Sequence, residues 1–253
     1  MAAPGTSLPL DDFAGVRRVL VVTAHPDDVD FGAGGSVATW VAAGLHVAYC
    51  IATDGDAGGS DRSVSRSDMA RIRREEQTAA AKELGVEDLT FLGYPDGRVS
   101  ASTELRCDIT RAVRQFRPER LVCQSPERNW ERIGASHPDH MAVGDAAVSV
   151  AYPDARNPFA HPELLTTEGL EPWSVHEVWL MASPRSNCAV DITDAFDAKV
   201  RALQRHVSQV AGEPNLAGRL EEWARSGAEA AGLGGGRLAE TFQRVPMPAS
   251  GSS

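Results

Sequence analysis

Residues 18–28 read RVLVVTAHPDD, and this stretch decides the fold. Residues 19–22 are apolar without alternation. A short unbroken apolar run is what a strand buried on both faces requires, and such strands belong to parallel sheets. Pro26 ends the run, and Asp27 and Asp28 follow as turn chemistry. A polar cluster of this kind, placed directly behind a buried strand, sits where ligands are held.

Outward from this point the chain alternates. Residues 32–44 (GAGGSVATWVAAG) read as a glycine-opened helix, and 46–53 (HVAYCIAT) as a second strand. Helix is expected over 68–84, 104–115, 138–150, 193–209 and, more weakly, 216–231. Strand is expected over 88–92, 120–124 (RLVCQ) and 177–181 (EVWLM). This order predicts an α/β fold with a mostly parallel, Rossmann-like sheet and helices on both faces. In such sheets ligands bind beyond the carboxyl ends of the strands. The expected organisation is a single domain over 1–253, with its core at about 16–210 and a C-terminal helical extension at 211–253. Residues 152–173 form a long Pro/Asn/His connection that stands out as a candidate pocket wall.

The 253 residues are 42% hydrophobic and 24% charged, ordinary for a globular protein. The formal charge is −10, which argues against a broad nucleic-acid surface and against anionic membranes. No apolar window is long enough to span a bilayer, and the first residues lack the pattern of a secretory signal. Cys50, Cys107, Cys123 and Cys188 are scattered and contain no C-x-x-C, so they form neither a disulfide framework nor a zinc ribbon. A cytoplasmic protein is expected, with a small-molecule partner; a homo-oligomer is left open.

The chemistry lies in two clusters. The first is His25-Pro26-Asp27-Asp28. The second, Ser136-His137-Pro138-Asp139-His140, follows RLVCQ after a loop, at the same expected end of the sheet. His25 and Asp28 are three apart across a proline-stiffened turn, and His137 and His140 are three apart at a helix start, so each pair can converge. A His-Asp-His set suits Zn²⁺, and three protein ligands leave a position open, as in catalytic zinc sites. If Asp28 holds the metal, Asp27 is placed to take a proton from water. His137 is placed to steady an oxyanion or protonate a leaving amine, and Asp139 to hold an imidazole in one tautomer.

Two other stretches invite ligand readings that the residues reject. Residues 32–35 (GAGG) lack the G-x-G-x-x-G spacing of a dinucleotide site. Asp54, Asp56 and Asp61 lack the EF-hand spacing and its terminal glutamate. Trp130, beside Asn129, is the candidate platform for a sugar ring, and both are expected to contact substrate. His46, His176 and His206 read as structural.

With these residues in view, the sequence resembles the PIG-L/LmbE-like zinc-dependent deacetylases. The resemblance rests on AHPDD (24–28), GAGG (32–35) and HPDH (137–140). It extends to TDGDAGG (53–59), LGYPDG (92–97) and the helix RIRREEQTAAAKELGV (71–86). It implies one Zn²⁺ per chain held by His25, Asp28 and His140, with Asp27 as general base and His137 as oxyanion-stabilising or acid residue. It also implies that Arg73 contacts substrate and Asp96 faces the sugar. The implied activity is removal of an N-acyl group, usually acetyl, from an amino-sugar-containing small molecule. A thiol-conjugate amidase of the mycothiol type and a non-catalytic sugar-binding module are the alternatives. Two departures stand out. The family motif continues AHPDDE, whereas Val29 and then Asp30 follow here, and Ala135 stands where mycothiol-pathway members tend to carry tyrosine.

Overall fold

The computed structural model describes residues 7–59 and 61–248. Its centre is β1 (Arg18–Thr23), flanked by β2 (His46–Thr53) and β4 (Arg120–Gln124). Outside these lie β3 (Asp88–Tyr94) and β5 (Glu177–Met181), and these five strands are parallel. The full order is β3-β2-β1-β4-β5-β7-β6, with β6 (Cys188–Asp191) and β7 (Ala239–Pro246) completing the sheet antiparallel.

Alternation along the strands sorts side chains onto two faces. Val19 and Val21 pack in one core beneath α1 (Asp28–Ala42), α2 (Arg66–Glu83) and the helix Phe196–Gln204. Leu20 and Val22 pack in the other beneath α3 (Thr103–Phe116) and α4 (Pro138–Ala151). Helices therefore cover both faces, as the apolar runs require. Ser65 and Ser102 cap α2 and α3 by accepting the N–H groups of Asp68 and Leu105. Among the described residues, no helix is long and apolar enough to cross a membrane.

Several expectations are corrected. The helix after β1 begins at Asp28 rather than Gly32, because Asp27 takes a left-handed conformation (φ 89°) that turns the chain directly into it. The stretch 211–253 is not a helical extension over its described part. After the helix Leu216–Ala230 it returns as β7, which inserts between β5 and β6. The helix expected over 193–209 is broken at Arg205–His206, where the buried His206 ring turns inward to Asp30 (2.8 Å). The 152–173 connection does not wall the pocket. Arg106 grips Asp154 with two bonds (2.8 and 2.7 Å), and Arg114 donates to the carbonyls of Asp154, Ala155, Asn157 and Ala160, so the loop is fastened onto α3.

The far end of the sheet is held by a buried ion cluster that joins β4, β5 and the segment before β1. Arg120 pairs with Asp11 (2.6 and 2.9 Å) and Glu177 (2.7 Å), with its guanidinium over the Trp179 ring at 3.9 Å. At the opposite end, α4 lies hard against β4. A Cβ built on Gly144 would sit 2.2 Å from the Gln124 carbonyl oxygen, so only glycine permits this approach.

Candidate active site

The carboxyl ends of β1 and β4 are adjacent, and each feeds a His-Pro-Asp segment into the crevice between them, where the strand order reverses. His25 follows β1, Asp28 opens α1, and His137 and Pro138 begin α4. The parallel pairing of β1 with β4 thus brings together residues more than a hundred positions apart. His25 Nδ1 lies 3.2 Å from His140 Nε2 and 3.4 Å from Asp28 Oδ2, and His140 Nε2 lies 3.0 Å from Asp28 Oδ1.

The other ring nitrogens are occupied in a way that fixes both tautomers. His25 Nε2 faces carboxylates of Asp139 and Asp96, each at 3.2 Å. His140 Nδ1 faces the Ala135 carbonyl oxygen at 3.4 Å. With protons on those outer nitrogens, His25 Nδ1 and His140 Nε2 turn lone pairs toward Asp28. This is the arrangement by which a carboxylate or carbonyl orients a metal-binding imidazole. Two oxygens and nitrogens of this type, closely spaced and largely buried, fit a divalent cation such as Zn²⁺. A second acidic group, His25 with Asp96 and Asp139, lies on the far side of the same ring. Asp139 is committed elsewhere, because it accepts the N–H groups of Gly97 (2.7 Å) and Val99 (3.1 Å). The Nδ1 side, with Asp28 and His140, could therefore seat a metal while the Nε2 side orients the ring.

Electrostatics agree with a site built around positive charge. Burial by itself lowers the His25 imidazole, yet the hydrogen bonds it donates to Asp28 and Asp96 push it up to about 11. Burial opposes ionisation of Asp28, but His140 and His25 hold its carboxyl well below the usual range. A proton on an imidazole answers the charge of these carboxylates, which is the role a bound cation also fills.

Asp27 sits at the edge of this cluster in a strained, left-handed backbone conformation. Its N–H donates to Gln77 Oε1 (2.7 Å), and its carboxylate receives Arg73 Nη2 (3.1 Å). Burial pushes its carboxyl up to about 6, against the pull of the Arg73 guanidinium. His137 Nδ1 accepts the Asp139 N–H (3.2 Å), which leaves its proton on Nε2. Burial and the two neighbouring imidazoles hold His137 below its usual range, favouring the neutral ring.

A cavity of about 410 Å³ is lined by His25, Asp27, Asp28, Asp96, His137 and His140. The residues expected to touch substrate divide. Asp96 lines this cavity while accepting the Ala57 N–H at 3.0 Å. Arg73 also lines it, but its guanidinium is buried and its two Nη atoms serve Asp27 and the carbonyls of Pro26 (2.6 Å) and Gly55 (3.1 Å), so it braces Asp27. Asn129 is a loop brace. Its Oδ1 accepts the N–H groups of Glu131 and Arg132, and its Nδ2 reaches the Ala182 carbonyl. Trp130 is 80% exposed, stacked under Arg128, and is not among the described residues lining either cavity at the cluster.

The residues missed are Gln77, Gln124 and Trp223. Gln77 is the buried link from Asp27 to Asp30, donating to Asp30 Oδ2 at 2.9 Å. Asp30 also receives His206, so it anchors the strained turn from below. Gln124, the last residue of RLVCQ, was open to discovery by the strand-end rule. Trp223 lies in the weakest expected helix and carried no local signal.

The PIG-L family, described as GlcNAc-PI de-N-acetylase, matches residues 20–151. Diacetylchitobiose deacetylase of Thermococcus kodakarensis is 32% identical over 200 residues, 79% of this chain and 72% of that protein. The 1D-myo-inositol 2-acetamido-2-deoxy-alpha-D-glucopyranoside deacetylase of Thermobispora bispora is 32% identical over 195 residues, 67% of this chain and 60% of that protein. Among solved structures, the N,N'-diacetylchitobiose deacetylase from Pyrococcus horikoshii superposes with a TM-score of 0.84 at 31% identity, covering 92% of this chain and 85% of that one. A match across more than half the chain, including both His-Pro-Asp clusters, decides the matter: the chain belongs to the PIG-L family of de-N-acetylases.

Proposed function

We propose that this protein is a metal-dependent hydrolase that removes an N-acetyl group from an amino-sugar-containing small molecule. The observation that carries the reading is the convergence of His25 Nδ1, His140 Nε2 and the Asp28 carboxylate within 3.0–3.4 Å of one another, with Asp27 braced at their edge. The deacetylase activity printed for the relatives supports it.

His25, Asp28 and His140 would hold the cation, Zn²⁺ being the expected ion. When bound, such an ion polarises an acyl oxygen and lowers the pKa of water toward about 7. Asp27 takes a proton from the attacking water. Its buried carboxyl, raised to about 6, is near the operating pH yet still ionised there, as a general base must be. His137 donates its Nε2 proton toward the acyl oxygen as negative charge develops, or to the departing nitrogen. Asp139 keeps His25 in its tautomer and, through its own N–H, fixes that of His137. Asp96 offers its carboxylate to a sugar hydroxyl in the same cavity. Water and the amide are consumed; acetate and the free amine leave.

The test is metal analysis of the purified protein coupled to acetate release from a panel of N-acetylated amino sugars. The expected result is about one divalent ion per chain and acetate release abolished by chelation and restored by zinc. Undiminished acetate release from chelated, metal-free protein overturns the reading.

A further inference from the structure

A second group of metal-binding side chains lies outside the candidate active site, where the 152–173 connection meets α3. Cys107 stands on α3. His161 directly precedes the short helix Pro162–Thr166, and Glu163 lies within it. One donor atom from each of the three falls within 4.8 Å of the other two. Cys107 Sγ is 3.3 Å from Glu163 Oε1, and His161 Nδ1 is 4.0 Å from the same oxygen. Around a tetrahedral zinc ion, sulfur, nitrogen and oxygen ligands bound at about 2.0–2.3 Å lie roughly 3.3–3.6 Å from one another. The cluster is a small side-chain rotation away from that sphere. Glu163, whose side chain is 54% exposed, has the room to make it.

The His161 ring is held for this role. Its side chain is 9% exposed, and Nε2 lies 3.6 Å from Asp154 Oδ2. Arg106 grips that carboxylate with two bonds, which fixes its place. A proton on Nε2, toward Asp154, leaves the Nδ1 lone pair on the Glu163 side. A carboxylate behind an imidazole in this way orients a metal ligand and raises its basicity. Without an ion, Glu163 Oε1 receives the S–H of Cys107, which is a weak donor. The positive groups nearby are already answered. Arg111 Nη2 comes within 4.0 Å of the sulfur, but its guanidinium is paired with Asp108 (2.5 Å) and Glu168 (2.8 Å). Arg114 is turned to the loop's backbone carbonyls.

We propose that Cys107, His161 and Glu163 form a second zinc site, which ties the 152–173 connection to α3. A thiolate, an imidazole and a carboxylate suit Zn²⁺, whereas Mg²⁺ and Ca²⁺ take oxygen ligands. Water completes the four positions. On binding, a sulfur–zinc bond replaces the S–H bond of Cys107, and the proton passes to solvent. One ligand is exposed and one must lose a proton, so this is the weaker of the two sites. The protein as purified carries the single ion at His25, Asp28 and His140, and a second equivalent enters when metal is supplied. The inference stands apart from the deacetylase reading, because none of the three residues is among those lining the cavities at Asp28 and His140.

Cobalt(II) tests the site. A thiolate ligand gives Co²⁺ an intense charge-transfer band in the near ultraviolet, and the set His25, Asp28 and His140 contains no sulfur. Wild-type protein as purified is titrated with Co²⁺. The expected result is about one further equivalent per chain, with the band rising in step and lost again when Zn²⁺ displaces the cobalt. Cys107→Ser should lose both the band and the further equivalent, with its fold checked by far-ultraviolet circular dichroism. Glu163→Gln changes an exposed side chain that folding tolerates, and the apparent Kd for cobalt should rise at least about tenfold, the least that losing a supporting group costs at metal centres. Excess zinc should also raise the wild-type Tm by at least about 2 °C, and that rise should vanish in Cys107→Ser. Absence of the band at millimolar cobalt overturns the proposal. So does a band that survives Cys107→Ser, or a Kd that Glu163→Gln leaves unchanged.

Discussion

Arg73 Nη2 stands 3.1 Å from Asp27 Oδ2, in a pocket where both side chains are largely buried. The same nitrogen reaches the Pro26 carbonyl oxygen at 2.6 Å. One guanidinium therefore braces both the backbone of the strained turn and the carboxylate that the turn presents. Replacing Arg73 with Met should lower kcat by roughly tenfold to a hundredfold, the worth of a charge-assisted hydrogen bond. KM and metal content should move little. Steady-state kinetics with parallel metal analysis check this, and a kcat within twofold of wild type removes Arg73 from the argument.

The two adjacent aspartates should separate cleanly. Asp28→Ala removes the carboxylate that both His25 and His140 face, so the protein should be purified without metal. Asp27→Asn keeps the three ligands and should retain metal while losing about a hundredfold to ten-thousandfold in kcat. Should Asp27→Ala be the variant that emerges metal-free, the two roles are exchanged.

Gly144 tests how closely the sheet holds the site. A methyl group there would press on the Gln124 carbonyl oxygen, and backbone cannot swing aside as a side chain can. Gly144→Ala should force α4, and His140 with it, away from β4. A loss of about 1–3 kcal/mol in urea unfolding is expected, with weaker metal retention. Gly212→Ala, which meets nothing within 4 Å, serves as the comparison and should be near neutral.

Arg120 is the counterpart at the other end of the sheet. Changing it to Met leaves the buried Asp11 carboxylate without its guanidinium partner, while Glu177 keeps Arg244. The expected cost is about 3–5 kcal/mol, because an unpaired buried charge is left behind. An equilibrium denaturation midpoint unchanged from wild type would count against the ion cluster as a clamp.

The cysteines should be chemically silent in the folded protein. Burial pushes the thiols of Cys50 and Cys123 up to about 12, and burial together with Glu163 pushes Cys107 up to about 11. A raised pKa keeps the thiol protonated, so at pH 8 the reactive thiolate is scarce. Alkylation by iodoacetamide, followed by mass spectrometry, should be slow until denaturant is added. Rapid labelling of the native protein at pH 8 would contradict this burial.

What the sequence determined by itself was local. Five parallel strands were legible because strands buried on both faces must be apolar throughout. Both His-Pro-Asp clusters were legible because proline and aspartate directly behind such strands leave few structural choices. Asp139 as a support for an imidazole could be expected from its type and place; that the imidazole is His25 required the fold. What tertiary structure alone decided was non-local. Residues 239–246 enter the sheet between β5 and β6 through pairing partners some fifty to seventy positions away, and no local pattern announces them. Arg73 reads as one charge among many on a helix until the fold turns it inward onto Asp27. Trp130 and Trp223 are the same residue type, each near arginines and each exposed, yet only Trp223 lines a cavity that Asp28 and His140 also line. Periodicity reports which face of an element is apolar; which distant element that face will meet depends on packing complementarity, which no short stretch of chain contains.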